Sequence, residues 1–243
     1  ILSITNLVVL CDYYQAAYVF LRHFVETDSD EIEIRDLLIN ATRQKMDNLS
    51  KDFFKLIRPY RDAKRQPSKK KICFLSHITS LYTPYANTRA FYSFLKGLHS
   101  SSADQFDFYW YTLGTAEDET IEELESMGVK VRRFDKITDV QERAVHLLNS
   151  FNNDEIDVVV NDYPNFWVIF LYSIRVAPVQ IYFCLGFVYF EFEGVDYLLL
   201  SKEEKLNDKI KTDIIDYESN NWLESRFLEG LNSKDEVRSN LGT

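Results

Sequence analysis

Ser76-His77 follows a short apolar run, Ile72 to Leu75, and an imidazole placed there can take a proton from a hydroxyl or amide nucleophile. The same histidine also reads as an ordinary loop residue bonded to backbone. A second polar group, Asn161-Asp162-Tyr163-Pro164-Asn165, lies between an apolar strand-like run and an apolar helix-like run. It can line a ligand cleft, or its Asn and Asp can cap the following helix, since the same side chains serve both ends. Asn87 and Thr88 open another helical segment, whose amino end favours an anion such as a diphosphate; capping alone also accounts for them. His23, His99 and His146 are scattered singly, which excludes zinc-protease spacing, and no Gly-x-Ser-x-Gly elbow is present. Only seven glycines occur, with neither a Gly-x-Gly-x-x-Gly turn nor a P-loop, so a dinucleotide or P-loop site is not expected.

Composition bounds what such groups can serve. The chain has 243 residues, enough for one or two domains with a sizeable core, and 46% hydrophobic and 15% aromatic content marks it as globular. A formal net charge of -10 argues against a nucleic-acid partner, because phosphate binding needs clustered cations. The one basic run, Lys64-Arg65 through Lys69-Lys70-Lys71, sits beside Pro67 and reads as a solvated linker. Cys11, Cys73 and Cys184 are odd in number and far apart, which implies neither disulfides nor zinc and fits a reducing, cytoplasmic setting. The apolar stretch from Phe166 to Phe190 is broken by Arg175, Pro178 and Gln180, so it reads as buried core and no transmembrane segment is expected.

The elements that must position these groups follow from periodicity. Residues 1–66 read as a helical leader, with apolar positions three and four apart (Ile34, Leu37, Leu38, Ala41) and with Asp28 and Ser29 able to cap the second helix. Residues 67–243 change character, alternating short β-rich runs with helical segments, the pattern of parallel strands joined by crossover helices. Strands are expected at Ile72–Ser76, Phe106–Thr112, Val129–Phe134, Ile156–Val160, Gln180–Phe183 and Tyr197–Leu200, with helices near Asn87–Leu98, Glu117–Met127, Val140–Phe151 and Phe166–Ile174. The expected fold is α/β, a Rossmann-like, mostly parallel six-stranded sheet behind an α-helical region. Beyond Leu200 the pattern suggests linker helices, one of them over Lys202–Lys211. Open α/β sheets bind ligands beyond the carboxyl ends of their strands, which puts the loops after Ser76, Thr112, Phe134, Val160 and Phe183 at the centre of interest.

From the fourth strand the chain reads Ile156-Asp-Val-Val-Val-Asn161, then Arg175-Val-Ala-Pro-Val-Gln180, Leu185-Gly186 and Val195-Asp196-Tyr197. This order and spacing resemble the first Rossmann-like domain of the O-linked N-acetylglucosamine transferase family and its bacterial relatives, the adhesin N-glucosyltransferases. The likeness spans about residues 70 to 200. It implies the N-terminal, acceptor-side half of a two-domain (GT-B) glycosyltransferase, inactive as a fragment. The donor, a nucleotide diphosphate sugar such as a UDP-sugar, would be held by a C-terminal domain outside this sequence, with no metal and no cofactor in this chain. It further implies an acceptor protein as partner, and either a partner glycosyltransferase subunit or a second copy. By position at the strand and helix ends His77 is the catalytic candidate and Asn87, Asn161 and Tyr163 are candidate substrate contacts, to which the likeness adds Thr83 and Gly186. Two departures stand out: Thr83-Pro84 replaces the family's His-Pro, and Gly186-Phe-Val-Tyr-Phe replaces its Gly-Tyr-Pro-Gly-Thr loop. They imply a different acceptor, or a degenerate, non-catalytic module kept for protein assembly. Apart from the likeness, Pro178 before a strand and Arg175 near a helix end suit scaffold roles.

Overall fold

A computed structural model describes residues 69–80, 86–162, 166–183, 194–201 and 213–217, together with isolated positions between 17 and 37. In chain order the elements are β1 (Lys70–Ser76), α1 (Ala86–Ser102), β2 (Phe106–Thr112), α2 (Asp118–Ser126), β3 (Lys130–Arg133), α3 (Val140–Asn153), β4 (Val158–Asn161), α4 (Phe166–Ser173), β5 (Val179–Phe183), β6 (Tyr197–Ser201) and β7 (Asp213–Tyr217). The strands form one sheet in the order β3-β2-β1-β4-β5-β6-β7, and every neighbouring pair is parallel. This is the expected Rossmann-like α/β arrangement, with all six anticipated strands present.

The seventh strand was not anticipated. Asp213-Ile-Ile-Asp-Tyr217 pairs along its length with β6, from Tyr197↔Asp213 to Ser201↔Tyr217. With Asp at two of five positions and a charged run before it, the segment carries no alternating signal. Charge is what an edge strand tolerates and what protects it from pairing further. The expected helix over Lys202–Lys211, and the linker helices after Tyr217, lie outside the described residues.

Chain direction explains the two layers. From β1 the chain moves outward through α1 to β2 and through α2 to β3; from β3 it returns past β1 to form β4, so α3 and α4 fall on the opposite face. Side chains alternate accordingly. Ile72, Phe74, Phe108 and Trp110 pack with Phe91 and Leu95 of α1 and with Ile121 and Leu124 of α2. Cys73, Leu75, Tyr109 and Tyr111 pack with Leu147 and Phe151 of α3 and with Val168 to Tyr172 of α4. The period of two in each strand therefore serves both cores, and burial on both sides accounts for the nearly continuous apolar run of β1. Within the stretch read as core rather than membrane, Val168 to Tyr172, Ile174, Tyr182 and Phe183 are buried, residues 184–190 lie outside the described residues, and among the described residues no helix is long and apolar enough to cross a membrane.

Three helices end in the same way. After α2, the Gly128 N–H bonds to Glu125 and the Val129 N–H to Leu124; after α3, Glu155 bonds to Asn152 and Ile156 to Phe151; after α4, Arg175 bonds to Tyr172 and Val176 to Leu171. Each is a Schellman turn with its penultimate residue in the left-handed region, at φ 83° for Gly128, 52° for Glu155 and 60° for Arg175. Only the first uses glycine, so the other two carry a local cost of roughly 1 kcal/mol each.

In the leader, Ala17, Leu21 and Ile34 pack against the α3/α4 core. Asp28 and Ser29 lie outside the described residues. The cap visible there joins Thr27 and Asp30: the Asp30 N–H donates to Thr27 Oγ1 at 3.3 Å and the Thr27 N–H to Asp30 Oδ2 at 3.0 Å.

Candidate functional site at the switch point

Strand order reverses between β1 and β4, and in open α/β sheets that point opens a crevice at the carboxyl ends. Leu75 and Asn161 are register partners across it, so Ser76-His77 and Asp162 leave the sheet side by side. The amino ends of α1 and α4 lie at the same edge, because each crossover helix starts where its strand stops.

The segment after β1 is tied to the loop after β2. Leu113 N–H donates to Ser76 O, Thr79 N–H to Thr115 O and Glu117 N–H to Thr79 O, at 2.8, 2.8 and 2.9 Å. Trp110 Nε1 donates to Thr79 Oγ1 at 2.9 Å, and Ser76 Oγ donates to Ile78 O at 2.8 Å. A Cβ at Gly114 would lie 2.4 Å from His77 O and 3.0 Å from His77 Cε1, so only glycine lets this loop approach the histidine. His77 thus sits on a fixed platform. Its pKa is lowered, first by desolvation among these neighbours and then by the Arg143 guanidinium, although its outer side stays open to solvent and the desolvation is partial. Arg143 is itself held by the carbonyls of Ile137 and Leu113. A histidine so placed is neutral at neutral pH, the form that can accept a proton.

The structure brings His77 and Asn161 to adjacent strand ends and puts Asn87 in the first turn of α1 at the same edge. Thr83, Tyr163 and Gly186 lie outside the described residues. Asn161 also does structural work, its Nδ2 donating to Leu75 O at 2.8 Å across the two central strands.

Asp162, which in the sequence is one member of a polar loop able to line a cleft or cap a helix, stands out in the structure. It is 4% exposed, and its Oδ1 is buried without a hydrogen-bond partner. Burial pushes its carboxyl up to about 7, opposed only by its own backbone N–H. The signal was an Asp separated only by Asn161 from the apolar run Val158-Val-Val160, at the reversal of strand order; as sequence it reads as a helix cap. Ser80, 1% exposed, also has a buried oxygen without a partner, as does Glu117 at the start of α2.

On the far side of β4, the Arg175–Gln180 string forms a clamp. Arg175 Nη2 pairs with Asp196 Oδ1 at 2.6 Å and Nη1 donates to Gly194 O at 3.1 Å. Gln180 Nε2 donates to Gly194 O at 2.6 Å and to Tyr172 O at 2.9 Å, while the Gln180 N–H donates to Asp196 Oδ2 and the Asp196 N–H to Gln180 O, both at 2.8 Å. Gly194 has φ 90°, and a Cβ there would fall 2.2 Å from Tyr172 O. The scaffold role expected for Arg175 is present, with a different partner: its guanidinium reaches forward to Asp196 instead of back onto the carbonyls of α4. Compared with known protein families and with curated proteins, the chain matches none.

Proposed function

We propose that this chain is the acceptor-side half of a nucleotide-sugar-dependent glycosyltransferase of the two-domain type that modifies a protein. The observation that carries the reading is a doubly wound parallel sheet whose switch point holds a neutral, platform-mounted histidine but no glycine-rich phosphate turn. Such an edge suits a neutral nucleophile and leaves the diphosphate to be gripped by a second domain across the cleft. The motif resemblance from Ile156 to Tyr197 agrees with it, and the clamp formed by Arg175, Gln180, Gly194 and Asp196 gives that string a physical reason to stay together. In this reading His77 takes the proton of the acceptor hydroxyl or amide as the sugar is transferred, and the donor is a UDP-sugar.

The rival is a degenerate module of the same fold kept for protein assembly, favoured by Thr83 standing where the family has histidine. Calorimetry separates the two. UDP-glucose and UDP-N-acetylglucosamine should bind this chain very weakly and bind tightly to a longer version that includes the donor domain. In that version His77→Ala should lower turnover about 10²-fold. Tight binding by the present chain alone would refute the assignment of the donor site, and an unchanged rate in His77→Ala would favour the assembly module.

A further inference from the structure

A carboxylate that is buried, lacks a cation and leaves one oxygen unbonded costs a protein stability, and such a group in a folded chain calls for an explanation. Asp162 is that group here. It stands at the end of β4, one position beyond the Leu75↔Asn161 pair, at the edge where an open α/β sheet receives its ligand. Nothing structural depends on Oδ1. The neighbouring amide, Asn161, is what ties β4 to β1. Tyr172, whose ionisation Asp162 opposes, gives its hydroxyl to Ile181 O at 2.7 Å instead. Ser80 Oγ and Glu117 Oε2, on the two loops bound together beside β1, are likewise buried without a hydrogen-bond partner. The described unbonded oxygens on these loops thus gather at the ligand-receiving edge, and the carboxylate oxygens among them lack an N–H or O–H.

We propose that Asp162 is a ligand-anchoring residue of the switch-point site, holding the O–H or N–H of a peptide side chain presented as acceptor. This rests on the reading of the edge as an acceptor site, and it names the class of group that is bound. Oδ1 is buried in the present structure, so a ligand can bond it only once the carboxyl becomes accessible. A bound donor would stabilise the ionised carboxylate and so draw its pKa back down.

The test uses the chain itself with two short peptides, identical except for a central Ser or Asn, titrated by calorimetry, with carboxyl ¹³C NMR on Asp162. One peptide should bind, lowering the carboxyl pKa on saturation, and the Ser and Asn arms tell a hydroxyl from an amide. Asp162→Asn should weaken that binding tenfold or more, and at pH 8 should raise the thermal midpoint by about 5 °C. The sign follows from linkage. The folded carboxyl titrates near 7 and the unfolded one near 4, so the folded state holds the extra proton between them. The wild-type chain therefore loses stability as pH rises through that window, and the Asn variant does not. Binding of neither peptide, equal binding by the variant, or a lower midpoint at pH 8 would overturn the proposal; the carboxyl titration needs no variant and decides the matter even if Asp162→Asn fails to fold. Sugar transfer that is indifferent to Asp162→Asn sinks this inference alone. Asp162-dependent peptide binding without any transfer in the extended protein sinks the transferase reading and leaves this one standing.

Discussion

At the amino edge of the sheet, where α3 delivers the chain back to β4, the polar side chains form a connected network. Asp154 accepts from Arg132 Nε and Nη2 at 3.0 and 2.8 Å and from the buried Tyr111 hydroxyl at 2.6 Å. Lys71 Nζ donates to the Asp154 carbonyl at 2.8 Å, and the Lys71 N–H donates to Asp157 Oδ2 at 2.9 Å. Around the switch point, at the opposite edge, Asp162, Ser80 and Glu117 keep oxygens that nothing satisfies. Both carboxylates are largely buried, yet their pKa values move in opposite directions. Burial raises both, but at Asp154 the Arg132 and Tyr111 hydrogen bonds overcome it and hold the group below its ordinary range. What differs is the company each keeps. One edge is built for stability, whereas the other forgoes stability where a ligand would restore it.

The contrast can be broken most directly at Asp154. Asp154→Ala removes the partner of Arg132 and leaves the Tyr111 hydroxyl buried and unbonded, and should cost about 3 kcal/mol by urea unfolding. Its pH dependence should be the mirror of Asp162: the folded carboxyl lies below the unfolded one, so its stabilisation is complete above about pH 4 and fades as the pH falls further. A smaller effect compares two single-oxygen deletions. Tyr111→Phe should lose about 1.5 kcal/mol, because its hydroxyl serves a carboxylate, while Ser80→Ala should be neutral or slightly stabilising, because its oxygen serves nothing. Equal losses in the two variants would erase the distinction between the edges. Smallest is Glu155→Gly, which relieves a left-handed residue at the satisfied edge and should add about 1 kcal/mol, less the little contributed by its exposed pairing with Lys71.

What could be read from sequence divides along similar lines. Strands β1 to β6 and helices α1 to α4 were legible because their apolar periodicity is a local property, and each landed within a few residues of its expected span. β7 was not, since Asp213 and Asp216 hide a strand whose existence depends on pairing with β6. His77 was placed correctly at the end of β1, but its lowered pKa comes first from desolvation against its neighbours and then from Arg143, sixty-six positions away in sequence, and its platform from Gly114. Asp154 looks like any helix-end Asp until Tyr111 and Arg132 are folded onto it. Side chains that meet through the fold leave no spacing to recognise.

The Schellman turns at Gly128, Glu155 and Arg175 also set where the chain can change length. Each fixes the angular phase of a helix against the start of the next strand; one residue added inside it would rotate the helix by about 100° and turn the strand's inward side chains outward. Insertions are thus disfavoured at these three turns. Length changes at the opposite rim, between strand ends and helix starts, leave the register set by these turns undisturbed.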